Sequence, residues 1–194
     1  AIRARAVRVI GDLGALRASE RIAELLPAEG DSATAEAMLR QLGVRPSEAA
    51  FGPATARLAD PMLAEVAAFA VNRVADAGLT PPGWELLVIE PARRAMQQKP
   101  TPEILRLVAA AGGDADRDLV EEFLASDDEI LRVGAAEGMR RAGRRRALME
   151  RAEVDAGIYP VAVAAVADQP PSSVVVAMLV DMPPKPDQVE TWNA

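Results

Sequence analysis

The chain has 194 residues, half of them apolar but only 3% aromatic, and a formal net charge of −7. It contains no cysteine and no histidine, which excludes disulfides, thiolate nucleophiles, the usual zinc sites and every Ser-His or Cys-His catalytic pair. An acidic chain is also a poor general nucleic-acid binder, because attraction to phosphate needs a positive field.

The acids are unevenly spread: residues 1–100 balance twelve acids against twelve bases, whereas 101–194 hold seventeen against ten. Only Lys99 and Lys185 are lysines, so almost all the positive charge is arginine, which reflects either the Ala/Arg bias of a GC-rich genome or a choice of its planar fork for ion pairs at interfaces. No signal peptide is visible. The longest apolar run, Val174 to Val180, is far too short to cross a bilayer, so no membrane association and a cytoplasmic location are the default expectation. No cofactor or metal motif is present, and neither is expected.

The helix-like pattern starts at the first residue with no cap before it, which suggests a partner helix upstream. Residues 1–27 read as two helices broken at Pro27, and Ala28 to Asp31 as a turn before a helix from Ser32 to Leu42. Ser47 is a plausible cap for a helix reaching Leu58. Asp60-Pro61 opens a helix from Met62 to Ala77. Thr80 to Gly83 leads into Trp84 to about Gln98, where Pro91 either kinks the helix or splits it. Trp84 reads as a packing anchor, and Gln97 to Pro102 is the most linker-like stretch of the body, so the helices on either side of it are expected to stack at a changed angle.

Residues 114–129 carry eight acids against Arg117 alone. Within Leu119 to Gly143 the pattern is clearest. The first helix presents Leu119, Val120, Phe123 and Leu124 as one apolar stripe, and Ser126, Asp127 and Asp128 break it and cap the next. The second helix carries Leu131, Ala135, Met139 and Ala142 on one face and stops at Gly143, which tolerates the left-handed conformation of many helix ends. After Asp168 the pattern weakens. Residues 169–181 read as a capping segment in which Val174 to Val180 is a helix or, given its valines, a strand. Residues 182–194 read as an extended proline-rich tail, where Trp192 is a candidate docking residue.

The helix-turn-helix unit recurs. Ile2 to Gly14 overlays Leu131 to Gly143, and further copies end at Gly43, near Gly78 and at Gly112, with a divergent copy from Ile158 to about Asp168. The glycine steps are 29, 35, 34 and 31 residues, a period that marks stacked helical pairs. The patterns Ile2-Arg3-x-x-Ala6-Val7-x-Val9-Ile10-Gly11-x-x-Gly14 and Leu131-Arg132-x-x-Ala135-Ala136-x-Gly138-Met139-x-x-x-Gly143 resemble HEAT repeats, in particular the short bacterial type also found in phycobilisome lyases. The resemblance covers most of residues 1–168. It implies an all-α fold, an α-α superhelix of about five to six stacked hairpins. It also implies a ladder between neighbouring repeats, with Asp127 as its turn aspartate and Arg3 and Arg132 as its arginines. Ala64 stands where the third copy would have the arginine, so the ladder is incomplete there.

The resemblance further implies that the second helices line a concave surface where partners sit. Its outward positions are Arg5, Arg8 and Asp12 in the first copy, Val66, Phe69 and Arg73 in the third, Glu103, Arg106 and Ala110 in the fourth, and Gly134, Glu137 and Arg141 in the fifth. The candidate partner-binding residues are therefore Arg5, Arg8, Phe69, Arg73, Arg106, Glu137 and Arg141. Phe69 is either an exposed hot spot beside arginines or, in a register shifted by one, part of the core. The basic cluster Arg140, Arg141, Arg144, Arg145 and Arg146 either grips phosphate or an acidic partner or offsets a helix dipole and the acidic run before it. Adjacent acids such as Glu121-Glu122 point to different sides of a helix and read as solvated caps, not as a hydrolytic pair. The expected function is a non-catalytic scaffold that holds another protein or a peptide. The alternatives are a structural or oligomerisation module of a larger protein and a lyase-like subunit acting with a partner chain.

Overall fold

Short polar residues, prolines and glycines set where the helices begin and end, as a glimpse of three boundaries shows. Asp31 caps a helix by accepting from the backbone N–H of Thr34 at 2.9 Å and from its hydroxyl at 2.5 Å. Asp128 accepts from the N–H groups of Ile130 and Leu131. Gly143 ends a helix at φ +71°, a left-handed backbone that a side chain would disfavour. The computed structural model describes residues 2–12 and 17–168. The segments 169–181 and 182–194, with Val174 to Val180 and Trp192, lie outside the described residues.

The described chain is all-helical. Its α-helices are α1 (Ile2–Asp12), α2 (Ala18–Leu25), α3 (Ser32–Val44), α4 (Phe51–Ala56), α5 (Ala64–Asp76) and α6 (Trp84–Gln98), followed by α7 (Pro102–Ala111), α8 (Asp114–Glu122), α9 (Glu129–Arg141), α10 (Arg145–Ala152) and α11 (Tyr159–Ala167). Four short 3₁₀ turns extend α2, flank α4 and follow α8. No strand occurs among the described residues.

Several sequence expectations shift. The helix after Ser47 is interrupted: the 3₁₀ turns Glu48–Ala50 and Arg57–Ala59 bracket α4, and the Ser47 hydroxyl makes no cap bond. The α5 helix starts at Ala64 because Asp60 first accepts from the N–H of Met62 in a turn. Pro91 sits inside an unbroken α6. Gly43 lies within the last turn of α3 and does not terminate it. Leu119 is 47% exposed, whereas Val120 and Leu124 are buried. Neighbouring helical residues point about 100° apart, so once Val120 and Leu124 anchor the stripe, Leu119 turns outward.

Each odd-numbered helix packs on the next: α1 on α3, α3 on α5, α5 on α7, α7 on α9 and α9 on α11. Each even-numbered helix from α2 to α10 packs on the odd-numbered helix after it. The core is built from Ala, Leu and Val, with Leu26, Leu39, Leu42, Leu58, Leu105 and Leu107 almost wholly excluded from water. Full burial of a leucine contributes about 1.5–3 kcal/mol, and small residues between the leucines let the helices approach.

Arginines tie several helices to the next part of the row. Arg3 at the start of α1 pairs with Glu29 before α3 at 3.4 Å. Arg132 early in α9 pairs with Asp155 before α11 at 2.9 Å and also donates to the carbonyls of Ser126 and Asp127. Asp127, the residue expected to supply the carboxylate, thus contributes its backbone oxygen; the anion comes from the following hairpin. Arg57 donates to the carbonyls of Leu26 and Glu29 at 2.7 and 2.8 Å, which neutralises a helix C-terminus with no acid at all.

Candidate functional site

A run of hollows lies along α3, α5 and the start of α7, and α5 supplies its centre. Ala, Val and Asn residues bury most of α5, leaving Glu65, Phe69 and Arg73 on the outward side. These three are four residues apart, so they stand one above another on a single face. Val66, expected beside them, is buried instead, as a position about 100° round the helix from Glu65 requires.

Phe69 is half-buried, between the two alternatives that its spacing allowed. Its ring lies on Gly43 of α3, where a Cβ would land inside it. The rest of the ring borders a hollow of about 350 Å³ lined by Glu36, Arg40, Met62, Glu65, Val66, Phe69 and Glu103. Met62 is 81% exposed at its edge. Arg40 is held by Glu36 through two hydrogen bonds, at 3.0 and 2.8 Å. Two further hollows adjoin this one, the first sharing Glu36 and Arg40 and reaching Val44, the second sharing Met62 and Glu65 and reaching Lys99 and Thr101. The result is a track crossing α3, α5 and the start of α7.

Beside the track runs a polar network that spans three helices. The fully buried Asn72 donates to the Glu103 carboxylate at 2.7 Å and to the Glu103 carbonyl at 2.9 Å. Arg106 pairs with Glu103 at 3.0 Å and approaches Asp76 at 3.8 Å. Arg141 crosses α7 to pair with Asp76 and donates to the Asn72 side-chain oxygen at 3.3 Å. Burial, and after it the nearby charge of Arg73, pushes the Arg141 guanidinium below its ordinary value.

The network accounts for two of the sequence candidates. Side chains of Arg106 and Arg141 are only 22% and 14% exposed, and their charges are engaged within the chain. Glu137 pairs with Arg140 at 3.0 Å. Arg73 is exposed, has no ion pair among the described residues, and donates only weakly to the Gly43 carbonyl at 3.4 Å. Arg5 is exposed on α1; the side chain of Arg8 lies outside the described residues. The structure therefore gathers Phe69, Arg73, Arg106 and Arg141 in one neighbourhood and leaves Arg5 and Glu137 apart from the track lining.

Spacing overlooked Glu36, Arg40, Met62, Glu65, Asn72 and Asp76. One signal was available: Asn72 is a lone amide in an otherwise Ala- and Val-rich helix, and a buried amide needs partners. The others depend on which helices meet.

The basic cluster near α10 is neutralised. Arg140 pairs with Glu137 and Asp168, Arg144 with Asp114 and Asp118, and Arg146 with Glu150, while Arg145 donates to the Ala165 carbonyl. The acidic run before the cluster supplies the partners of Arg144 alone; the acids that pair Arg140 and Arg146 lie outside it. A second strap joins α6 to α8: Arg93 grips Asp116 at 2.6 and 2.8 Å, and the Gly113 N–H donates to the same carboxylate at 2.8 Å. These bonds hold the Asp116 carboxyl below its usual range, Arg93 being the larger cause, and raise Arg93 above its own.

Among the described residues no group of three or more acids, histidines or cysteines is placed to hold a metal ion. No described helix is long and apolar enough to cross a membrane. No protein-family model matches the chain, and no curated protein and no solved structure matches it significantly.

Proposed function

We propose that this chain is a non-catalytic protein-binding scaffold, a HEAT-like α-solenoid that holds a partner protein or peptide on the surface shared by its odd-numbered helices. The observation that carries this reading is the track across α3, α5 and α7, where an aromatic ring and an exposed methionine flank an open hollow. Aromatic side chains in partly desolvated pockets dominate interface energetics, and a hollow of about 350 Å³ is at the lower end of the sizes ligands occupy. Two features favour the solenoid. The odd-numbered helices pack in unbroken succession, as stacked repeats do when each touches only its neighbours. The Arg3–Glu29 and Arg132–Asp155 pairs run between successive hairpins, like the ladder the resemblance implies.

The test is selection of a random peptide display library on the immobilised chain, followed by binding of the selected peptides to a Met62→Asp variant. Met62 is so exposed that the change leaves the core intact. Peptides that bind the parent and lose most of their affinity for the variant support the scaffold. Peptides that bind both equally, or a chain that enriches no peptide and self-associates in sedimentation, overturn it in favour of a structural module.

A further inference from the structure

Most charges on and beside the track are paired, but Glu65, Lys99 and Arg73 stand in no ion pair among the described residues. Glu36 holds Arg40, Glu103 holds Asn72 and Arg106, and Asp76 holds Arg141. Glu65 makes no hydrogen bond or ion pair among the described residues, and Arg73 makes no ion pair. Both are exposed, and they flank Phe69 at four residues on either side along α5. The face thus offers an anion, a half-buried aromatic ring and a cation in line.

The spacing of this line selects a partner. Four helical residues advance about 6 Å. In an extended chain, alternate side chains share one face, and two residues advance about 6.6 Å. Three alternate residues of an extended strand therefore match Glu65, Phe69 and Arg73 one to one.

We infer that the α5 face takes an extended peptide segment of the form cation–x–apolar–x–anion or its reverse, with the apolar side chain seated on Phe69 and Met62 and the two charges opposite Glu65 and Arg73. This rests on the scaffold reading and specifies its ligand. The apolar residue supplies most of the contact area, and flexible Met62 adapts to its shape. The charges supply selectivity, since like charges brought together at the same places are repelled.

The test uses fluorescein-labelled peptides with cores Lys-Ala-Leu-Ala-Glu, Glu-Ala-Leu-Ala-Lys, Lys-Ala-Leu-Ala-Lys, Glu-Ala-Leu-Ala-Glu and Gln-Ala-Leu-Ala-Gln, titrated with the whole chain at low salt by anisotropy. At least one mixed-charge peptide binds about fivefold or more tighter than both like-charged ones, the scale of an exposed ion pair at its strongest. Glu65→Lys moves the preference to the doubly anionic peptide, and Arg73→Glu moves it to the doubly cationic one, whichever way the peptide runs. Circular dichroism of both variants confirms unchanged helix content, as expected for exposed positions. If peptides bind but the variants leave the charge order unchanged, this inference is overturned and the scaffold reading stands. If no peptide binds, including the neutral one, the scaffold reading falls with it.

Discussion

The seam between α3 and α5 and the seam between α7 and α9 are built on the same device and reach opposite results. Both place glycine where two helices cross. At the first, Gly43 receives the ring of Phe69, so an aromatic side chain stands between the helices and a hollow opens beside it. At the second, Gly134 receives the backbone of Pro102, whose Cα lies 2.5 Å from where a Cβ would be, and Gly138 receives Ala109 and the Leu105 carbonyl. There the helices touch directly, and Arg141 is able to reach across α7 to Asp76. One seam leaves a hollow; the other is closed by direct contact, with a polar network beside it. What lies opposite the glycine decides which.

The largest effect is expected in the sealed seam. Gly134→Val places its branched side chain against the Pro102 main chain, which cannot turn aside, and lowers stability by about 3 kcal/mol or more in urea unfolding. A loss under about 1 kcal/mol would mean that the helices slide freely and the seam is not sealed by close packing.

Asp76→Ala comes next, because it leaves the mostly buried Arg141 without its carboxylate while the core is untouched; a loss of about 2 kcal/mol is expected by thermal unfolding. The parallel change of Glu36 to Ala in the open seam, where the pair to Arg40 is exposed, changes stability by less than about 0.5 kcal/mol. Equal losses would erase the distinction between the seams.

Gly43→Ala is milder than Gly134→Val, at about 1–2 kcal/mol, because the Phe69 ring is free to swing toward the hollow. In a Phe69→Leu background the cost of Gly43→Ala falls, and a double-mutant cycle measures the difference. A cycle with no coupling would show that the ring does not fill this seam.

The last effect is pH-dependent and lies in the strap between α6 and α8. The folded Asp116 carboxyl is depressed below its ordinary 3.8. Its stabilisation is therefore fully present above the unfolded value and is lost as pH falls through the folded one. Asp116→Asn lowers stability by about 1–2 kcal/mol near neutrality, and the parent and variant urea midpoints converge below about pH 4. A gap that persists unchanged into strong acid would assign the effect to packing.

Much of the fold was legible from residue order, because capping is local. Asp31, Asp128 and Gly143 act within a few residues of the helices they bound, and Ala- and Leu-rich periodicity follows from a helical turn. Leu119 and Val66 were not placed correctly, since a stripe read to within one position still leaves about 100° of rotation open. The candidate site was legible in Phe69, Arg73 and Arg106, but their roles were not. A sequence shows that an arginine exists; it does not show that Asp76 and Glu103 already hold it.

The sequence by itself determined that the described part of the chain is helical, where several of its helices begin and end, and that its interior is aliphatic with little aromatic bulk. Those properties depend on interactions that reach no more than four or five residues. Tertiary structure alone decided that Gly43 meets a ring while Gly134 meets a backbone, that Arg141 finds its acid 65 residues earlier at Asp76, and that Glu65 and Arg73 are left unpaired around Phe69. Each of these depends on which helix faces approach, and that is settled by packing the whole row of helices together.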